Sequence, residues 1–483
     1  MVFSSLIFLY VFLPVVLILN WLAGKELRNG LLLFASLAFI AWGGVSLTLI
    51  LILSLVVNYF TGLLVDFFKE KGKAKIFLII GLILNFGILG FFKYANWMVD
   101  NINFIFSYFG DYHIENPGII LPLGISFYTF QAVSYIVDVY RNEAKVEKNF
   151  FTLALYISMF PQLIAGPIVR YQLIAGQLIN RPNHRANFTY GIQRFTLGLV
   201  KKVLLANQFG SVADQMFGIQ VSDINSTSAW IGVFAYTMQI YFDFSGYSDM
   251  AIGLGRMLGF RFPENFNFPY ISKSVREYWQ RWHLTLTAWF KNYLYFPLGG
   301  SRGGKSQTIR NLLIVFLATS VWHGASWNFV IWGMTHGVFM LLEYLGWGKI
   351  LQKLYWPFQH FYALFIIAVT RVFFRSETLE YAWPFFLQLF TFDFEGLPRE
   401  TIPYVLDIKF FTLSIIGIIS STMFWVWLGN KIETWHKNLP MNYKNLLTNL
   451  GQVGLSIVII FALALCTMML TSDSYNPFIY FRF

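Results

Sequence analysis

Apolar runs recur along this chain near 4–23, 30–43, 46–67, 76–92, 123–140, 149–165, 190–217, 228–250, 308–322, 325–346, 357–374, 410–429 and 452–470. A helix needs about 20 such residues to cross the hydrocarbon of a bilayer, where every backbone polar group must be satisfied within the segment. Runs of this length point to helices and away from the roughly ten-residue alternating strands of a membrane barrel. Several are short, or broken by Gly and Pro. The expectation is an all-α, polytopic membrane protein of about eleven spans, with re-entrant and interfacial helices among them. Charged residues make up 12% of the chain, against about 25% in a soluble domain. The 53 Phe and 16 Trp suit lipid-facing surface and interfacial belts. No loop has the length of a separate globular domain and no internal repeat is visible, so residues 1–483 read as a single transmembrane domain.

Lys and Arg bias sets the expected orientation. Lys25 and Arg28 follow the first run, and Lys69, Lys71, Lys73 and Lys75 follow the third. The turn between those loops, 43–45, is uncharged. The next loop carries Asp100, Asp111 and Glu115, after which Arg141, Lys145 and Lys148 return to the basic side. The acid-rich 375–409 and the basic Lys431, Lys437 and Lys444 continue the alternation, which puts both termini outside the cytoplasm. The N-terminus lacks a charged n-region and a small-residue cleavage site, so the first run reads as a retained helix. The net charge of +11 sits in short loops, which fits topology and an anionic lipid or ligand surface and not nucleic acid. The middle, 166–310, is rich in Arg and Lys. Topology alone explains that, and docking of an anionic donor, a nucleotide thioester or an acidic carrier protein, is the alternative. The single cysteine, Cys466, lies in an apolar run, so no intrachain disulfide forms.

Val321-Trp-His-Gly-Ala-Ser-Trp327 sets His323 at the end of one apolar run, just before a small-residue turn into the next. An ionisable group at membrane depth is costly, and an imidazole is suited to proton transfer. The plain alternative is a histidine satisfied by hydrogen bonds inside a bundle. His283 follows Arg281 and Trp282 in a stretch where Trp279, Trp282, Trp289 and Tyr293 recur at helical spacing, which reads as one helix with an aromatic stripe. His336 stands thirteen residues beyond His323, roughly 20 Å along an unbroken helix. That spacing does not suit a shared metal, no His-Glu-x-x-His or cysteine pair is present, and no metal is expected. Asp243 and Asp249 are carboxylates in an apolar stretch, expected to pair structurally with Arg256 or Arg281, with orientation of a histidine as the alternative. There is no Gly-x-Ser-x-Gly elbow and no phosphate-binding loop.

Several stretches, taken in order, resemble the membrane-bound O-acyltransferase family, and most of all its bacterial alginate O-acetyltransferase branch. They are Met-Val-Phe-Ser-Ser at the start, Pro122-Leu-Gly-Ile-Ser-Phe-Tyr-Thr-Phe130, Phe160-Pro-Gln-Leu-Ile-Ala-Gly-Pro167, Asp243-Phe-Ser-Gly-Tyr-Ser-Asp249, Arg281-Trp-His283, Tyr293-Leu-Tyr-Phe-Pro-Leu-Gly-Gly300, Trp322-His-Gly-Ala-Ser-Trp327 and the aromatic tail Pro477–Phe483. Where the family usually has Arg-Asp before the Tyr-Leu-Tyr stretch, this chain has Lys291-Asn292. The resemblance implies a ring of tilted helices around a thinned centre, where a cytoplasmic funnel meets an outer one. It implies that His323 is the catalytic base and His283 the second site histidine, with Arg281, Trp322, Asn292 and Ser326 as substrate contacts. It further implies acetyl transfer across the bacterial inner membrane from acetyl-CoA or an acyl-carrier thioester, no permanently bound cofactor, and periplasmic or membrane-anchored partners that pass acetyl to a polysaccharide such as alginate. Peptidoglycan O-acetylation is the rival within this class, and a transporter of an anionic or lipid-linked solute the rival outside it. The tail resembles the aromatic C-terminus of the small partner in teichoic-acid D-alanylation, which makes Tyr480 a third catalytic candidate.

The charge pattern predicts that cysteines placed at Ser274 and Ser306, in a Cys466→Ser background, react with an impermeant thiol reagent only from the cytoplasmic side of sealed vesicles. Reaction only from the outer side would invert the topology.

Overall fold

The computed structural model describes residues 2–110, 112–181, 185–394, 396–397, 402–405, 407–472 and 475–477. Among them the regular structure is helical throughout. A π-helical turn, Phe8–Phe12, leads into α1 (Leu13–Leu22), then α2 (Leu27–Ala41), α3 (Val45–Phe67), α4 (Ala74–Phe106), α5 (Ile125–Tyr140), α6 (Phe150–Ser158), α7 (Phe160–Leu163) and α8 (Tyr171–Ile179). The run 190–217 becomes α9 (Arg185–Val200), a π-helical segment Lys201–Ala206, and α10 (Asn207–Phe217). α11 (Ser226–Met257), α12 (Val275–Trp279), α13 (Leu284–Phe290), α14 (Gly304–His323), α15 (Trp327–Leu342), α16 (Gly348–Leu351) and α17 (Trp356–Arg375) follow. α18 (Leu379–Gln388), α19 (Ile402–Val405), α20 (Ile408–Ser420), α21 (Phe424–Lys437) and α22 (Met441–Ser472) complete the chain.

Five helical segments are long and apolar enough to cross a membrane: α3, α4, Trp327–Leu351, α17 and Tyr443–Ser472. α20 and α21, bent by 64° at their junction, make up to six. Length and hydropathy thus mark fewer spans than the apolar runs suggested, for two physical reasons. α1 and α2 are apolar but short. α11 is 32 residues long and buried over most of its length, so its environment is protein, and it tolerates the polar groups that a lipid-facing helix excludes.

Close packing of α11 on α9 depends on glycine. A Cβ at Gly191 would stand 2.7 Å from the Gly253 carbonyl oxygen, and one at Gly246 would stand 2.7 Å from that of Gly198. Small residues that let backbones touch replace the missing hydrophobic drive between helices in lipid. This contact also decides the fate of the two carboxylates. Asp243 lies 2.6 Å from Lys202, and Asp249 lies 2.7 Å from both Arg194 and Lys201. The pairing is structural as expected, but the partners are not. Arg256 instead donates to Asn187 and Arg281 pairs with Glu277. The glycine register brings α9 and the π-segment, and not Arg256 or Arg281, against those faces of α11.

The end of the described chain docks at the same place. Lys202 Nζ also donates to the Pro477 carbonyl, and Tyr475 Oη donates to Asp214 at 2.5 Å. Asn476 exchanges hydrogen bonds with Ser4, so residues 475–477 join the first residues of the chain to α10. Tyr480 lies outside the described residues. Ser306 is exposed, whereas Ser274 is half-buried and caps α12 through the Glu277 amide, which makes Ser306 the better labelling position.

Removing one partner of a buried ion pair costs about 3–5 kcal/mol, because the other charge stays buried. Lys202→Met is expected to lower the unfolding midpoint of the detergent-solubilised protein markedly, and Lys202→Met with Asp243→Leu to recover most of the loss. A single variant as stable as the wild type would show that the pair is not structural.

Candidate functional site

His323 is the last residue of α14, and the chain turns through Gly324–Ala325–Ser326 into α15. The last carbonyls of a helix have no partner within it, and at membrane depth no bulk water replaces one. Two consecutive residues of α4 supply the missing donors: Lys93 Nζ donates to the Trp322 carbonyl and Tyr94 Oη to that of Val321, at 2.8 Å for the latter. Trp327 Nε1 donates to Asn101 on the same helix at 2.8 Å. The Ser326 side chain caps α15 by accepting from the Asn328 amide, so this proposed substrate contact is engaged in holding the turn.

The His323 ring is buried among aromatic neighbours, with ring centroids at 4.9 Å for Trp322, 5.0 Å for Trp332 and 5.4 Å for Phe374. Trp322 extends to the second histidine, its ring centre 6.2 Å from that of His283. The two histidines singled out in the sequence therefore share one aromatic wall.

His283 lies between α12 and α13 with φ +46°. The expected single helix with an aromatic stripe is broken there. Left-handed backbone is unusual for a residue other than glycine and persists only when its surroundings fix it. Asn265 does so. Its carbonyl accepts from the Leu284 amide at 3.0 Å, and its Oδ1 accepts from the Thr285 amide and hydroxyl. The same Oδ1 lies 3.0 Å from His283 Nδ1. An oxygen engaged as an acceptor assigns the imidazole proton to Nδ1 and leaves the Nε2 lone pair open. Among the described residues His283 Nε2 has no hydrogen-bond partner.

His336 is nearer this centre than a continuous helix would place it. The α14–α15 hairpin sets Trp332 between the two imidazoles, 5.0 Å from His323 and 5.3 Å from His336. His336 Nε2 lies 3.0 Å from the Thr370 hydroxyl, and among the described residues its buried Nδ1 has no hydrogen-bond partner.

Two buried cations belong to the site and were missed in the sequence. Lys93 is one. Arg371 on α17 is the other; it donates to Tyr278 Oη at 2.5 Å and stacks over Trp282 at 4.8 Å. Each cation stands in or beside an apolar run, the signal that identified His323. Of the remaining sequence candidates, Arg281 pairs with Glu277 and donates to the Asn267 carbonyl. Asn292 follows α13 near the start of α14, in a cleft with Arg141 and Arg302. The structure does not bring either one to His323.

Two cavities meet α14 in its second half. One is lined by Leu312, Phe316 and Thr319 with Trp279 and Phe290, and carries Arg276 and Lys291. The other, much smaller, abuts the last turn at Trp322 and is lined by Lys93 and residues 121–127. Thr319 and Trp322 stand about one helical turn apart, so both spaces reach the helix just before His323.

Residues 141–376 match the model of the membrane-bound O-acyltransferase family. The chain is 43% identical to the probable alginate O-acetylase AlgI of Pseudomonas aeruginosa over 81% of its own length and 75% of that protein's. It is 38% identical to the probable alginate O-acetylase AlgI of Pseudomonas putida over the whole of both chains. It is also 36% identical to the peptidoglycan O-acetyltransferase of Helicobacter pylori, over 79% of this chain and 78% of the other.

Proposed function

Because this chain belongs to the membrane-bound O-acyltransferase family and is a multi-pass membrane acyltransferase, we propose that it moves acetyl groups from a cytoplasmic thioester to an acceptor on the far side of the bacterial inner membrane. The observation that carries the proposal is the buried His323 at the end of α14, on an aromatic wall it shares with His283, with two cavities reaching the helix within a turn of it. The larger cavity, apolar inside and basic at Arg276 and Lys291, suits the pantetheine arm of acetyl-CoA or of an acyl-carrier protein, with the anionic remainder held outside. The basic middle of the chain then lies at the cytoplasmic face and both termini lie outside.

The transfer balances without a further reactant. The acceptor oxygen attacks the acetyl carbonyl carbon, and its proton passes to neutral His323. The carbon–sulfur bond breaks, and the departing thiolate takes that proton, giving an ester and a thiol. Positioned acid–base catalysis of this kind contributes about 10²–10⁴-fold. Trp322, whose indole N–H has no partner among the described residues, is a donor for the thioester oxygen. His283 presents a lone pair and not a proton, so its role is to hold an amide N–H of the donor arm. Periplasmic or membrane-anchored partners complete delivery to a polysaccharide such as alginate. The Helicobacter pylori relative keeps peptidoglycan as the second acceptor reading; the O-acetyl content of isolated exopolysaccharide and of isolated cell wall separates the two.

His323→Ala is expected to abolish O-acetylation, a loss of about 10²-fold or more, while the protein inserts and purifies normally. Wild-type polymer acetylation by this variant would remove His323 from the reaction, and loss of polymer export with it would favour transport over acyl transfer.

The tail extends the proposal. The docked residues 475–477 are continuous with Tyr480, and a phenol of ordinary pKa about 10 is a better acyl leaving group than an alkyl hydroxyl. Tyr480 is proposed as a relay that accepts acetyl beside His323 and passes it outward. Tyr480→Phe is expected to be inactive and correctly inserted, with an acetylated C-terminal peptide detectable by mass spectrometry of the wild type given donor alone. Normal transfer by Tyr480→Phe would reduce the tail to an anchor.

A further inference from the structure

Two of the sequence motifs, Pro122–Phe130 and Phe160–Pro167, have no part in the chemistry above, yet they meet beside it. Gly124 has φ +75°, and a Cβ there would stand 2.8 Å from the Leu163 carbonyl oxygen. This backbone contact helps form the smaller cavity, whose lining includes Leu121, Leu123, Ser126, Ile164, Trp322 and Lys93.

Lys93 is the unexpected member. Its side chain is nine-tenths buried. Of the three N–H bonds of an ammonium, one meets the Trp322 carbonyl and one the Ser126 hydroxyl at 3.3 Å. Among the described residues no carboxylate lies within ion-pair distance of it. A cation held in an apolar membrane interior without a counter-ion is costly. Capping the helix end does not require that charge, since the neutral Tyr94 hydroxyl caps the adjacent carbonyl. An ammonium at this place would keep one N–H for a group that enters the cavity.

We infer that Lys93 is the acceptor-side contact of the transfer reaction, held there as an ammonium whose third N–H takes the oxygen of an incoming alcohol or phenol in the cavity at Trp322, one residue from His323; this rests on the acyl-transfer reading above. As the acceptor oxygen attacks the acetyl carbon and its proton passes to His323, that oxygen gains alkoxide or phenoxide character, which a neighbouring ammonium stabilises. Lys93 keeps its proton throughout, and the proton that moves goes from acceptor to His323 and on to the departing sulfur. One residue thus fixes the helix end that carries the base and binds the group that the base deprotonates.

The test measures two quantities on each variant: labelled acetyl transfer from acetyl-CoA to polymer in native membrane vesicles, and the dissociation constant of acetyl-CoA on the purified full-length protein. Lys93→Met keeps length and volume without charge, and transfer is expected to fall about tenfold or more with acetyl-CoA binding unchanged. Lys93→Arg, which keeps the charge, is expected to recover much of the transfer. Leu123→Trp, which narrows the cavity and keeps Lys93 in the sequence, is expected to lose transfer with the same unchanged donor binding. Full transfer by Lys93→Met, or a loss of donor binding that parallels the loss of transfer, would overturn the assignment. So would Lys93→Arg, correctly folded, performing no better than Lys93→Met. Wild-type vesicles that move acetyl from neither acetyl-CoA nor an acetylated acyl-carrier protein would overturn the acyl-transfer reading itself, an outcome distinct from any of these variant results.

Discussion

The end of α14 has to be satisfied where there is no water. Its last carbonyls lie at the depth of the buried His323, and side chains from α4 close them. The arrangement is specific in a way that lipid-facing packing is not. A leucine is tolerated anywhere in hydrocarbon, but a carbonyl that lacks a donor costs several kcal/mol. The α4 side chains therefore fix the height and rotation of α14, and with them the base. The α15 cap at Ser326 and the Trp327–Asn101 bond hold the same turn from its other side.

The second half of the site follows the same logic in a loop. Asn265 holds the left-handed turn at His283 and, with the same oxygen, selects its tautomer. Trp322 links the two histidines as a shared wall.

The membrane class and most helix positions were legible in the sequence, because bilayer thickness forces long apolar runs. α11 is surrounded by protein, so its composition reports neighbours and not lipid. His323 and His283 stood out as polar groups in apolar or aromatic surroundings. Lys93 and Arg371 carried the same signal and were passed over. The partners of Asp243 and Asp249 were not legible at all. They depend on the glycine register between α9 and α11, a relation between segments far apart in the chain. The break at His283 was hidden for a similar reason: helical spacing of aromatics continues across it, and Asn265, which enforces it, lies outside the stretch.

The central claim is that acetyl enters from one side of the membrane and leaves on the other past His323. The most direct measurement loads acetyl-labelled acetyl-CoA on only one face of sealed, oriented vesicles and follows label on acceptor confined to the opposite face. Label crossing from the cytoplasmic face to the outer acceptor in the wild type, and absent with His323→Ala, is the expected result. Label reaching acceptor only when donor and acceptor share a face would contradict transfer across the membrane.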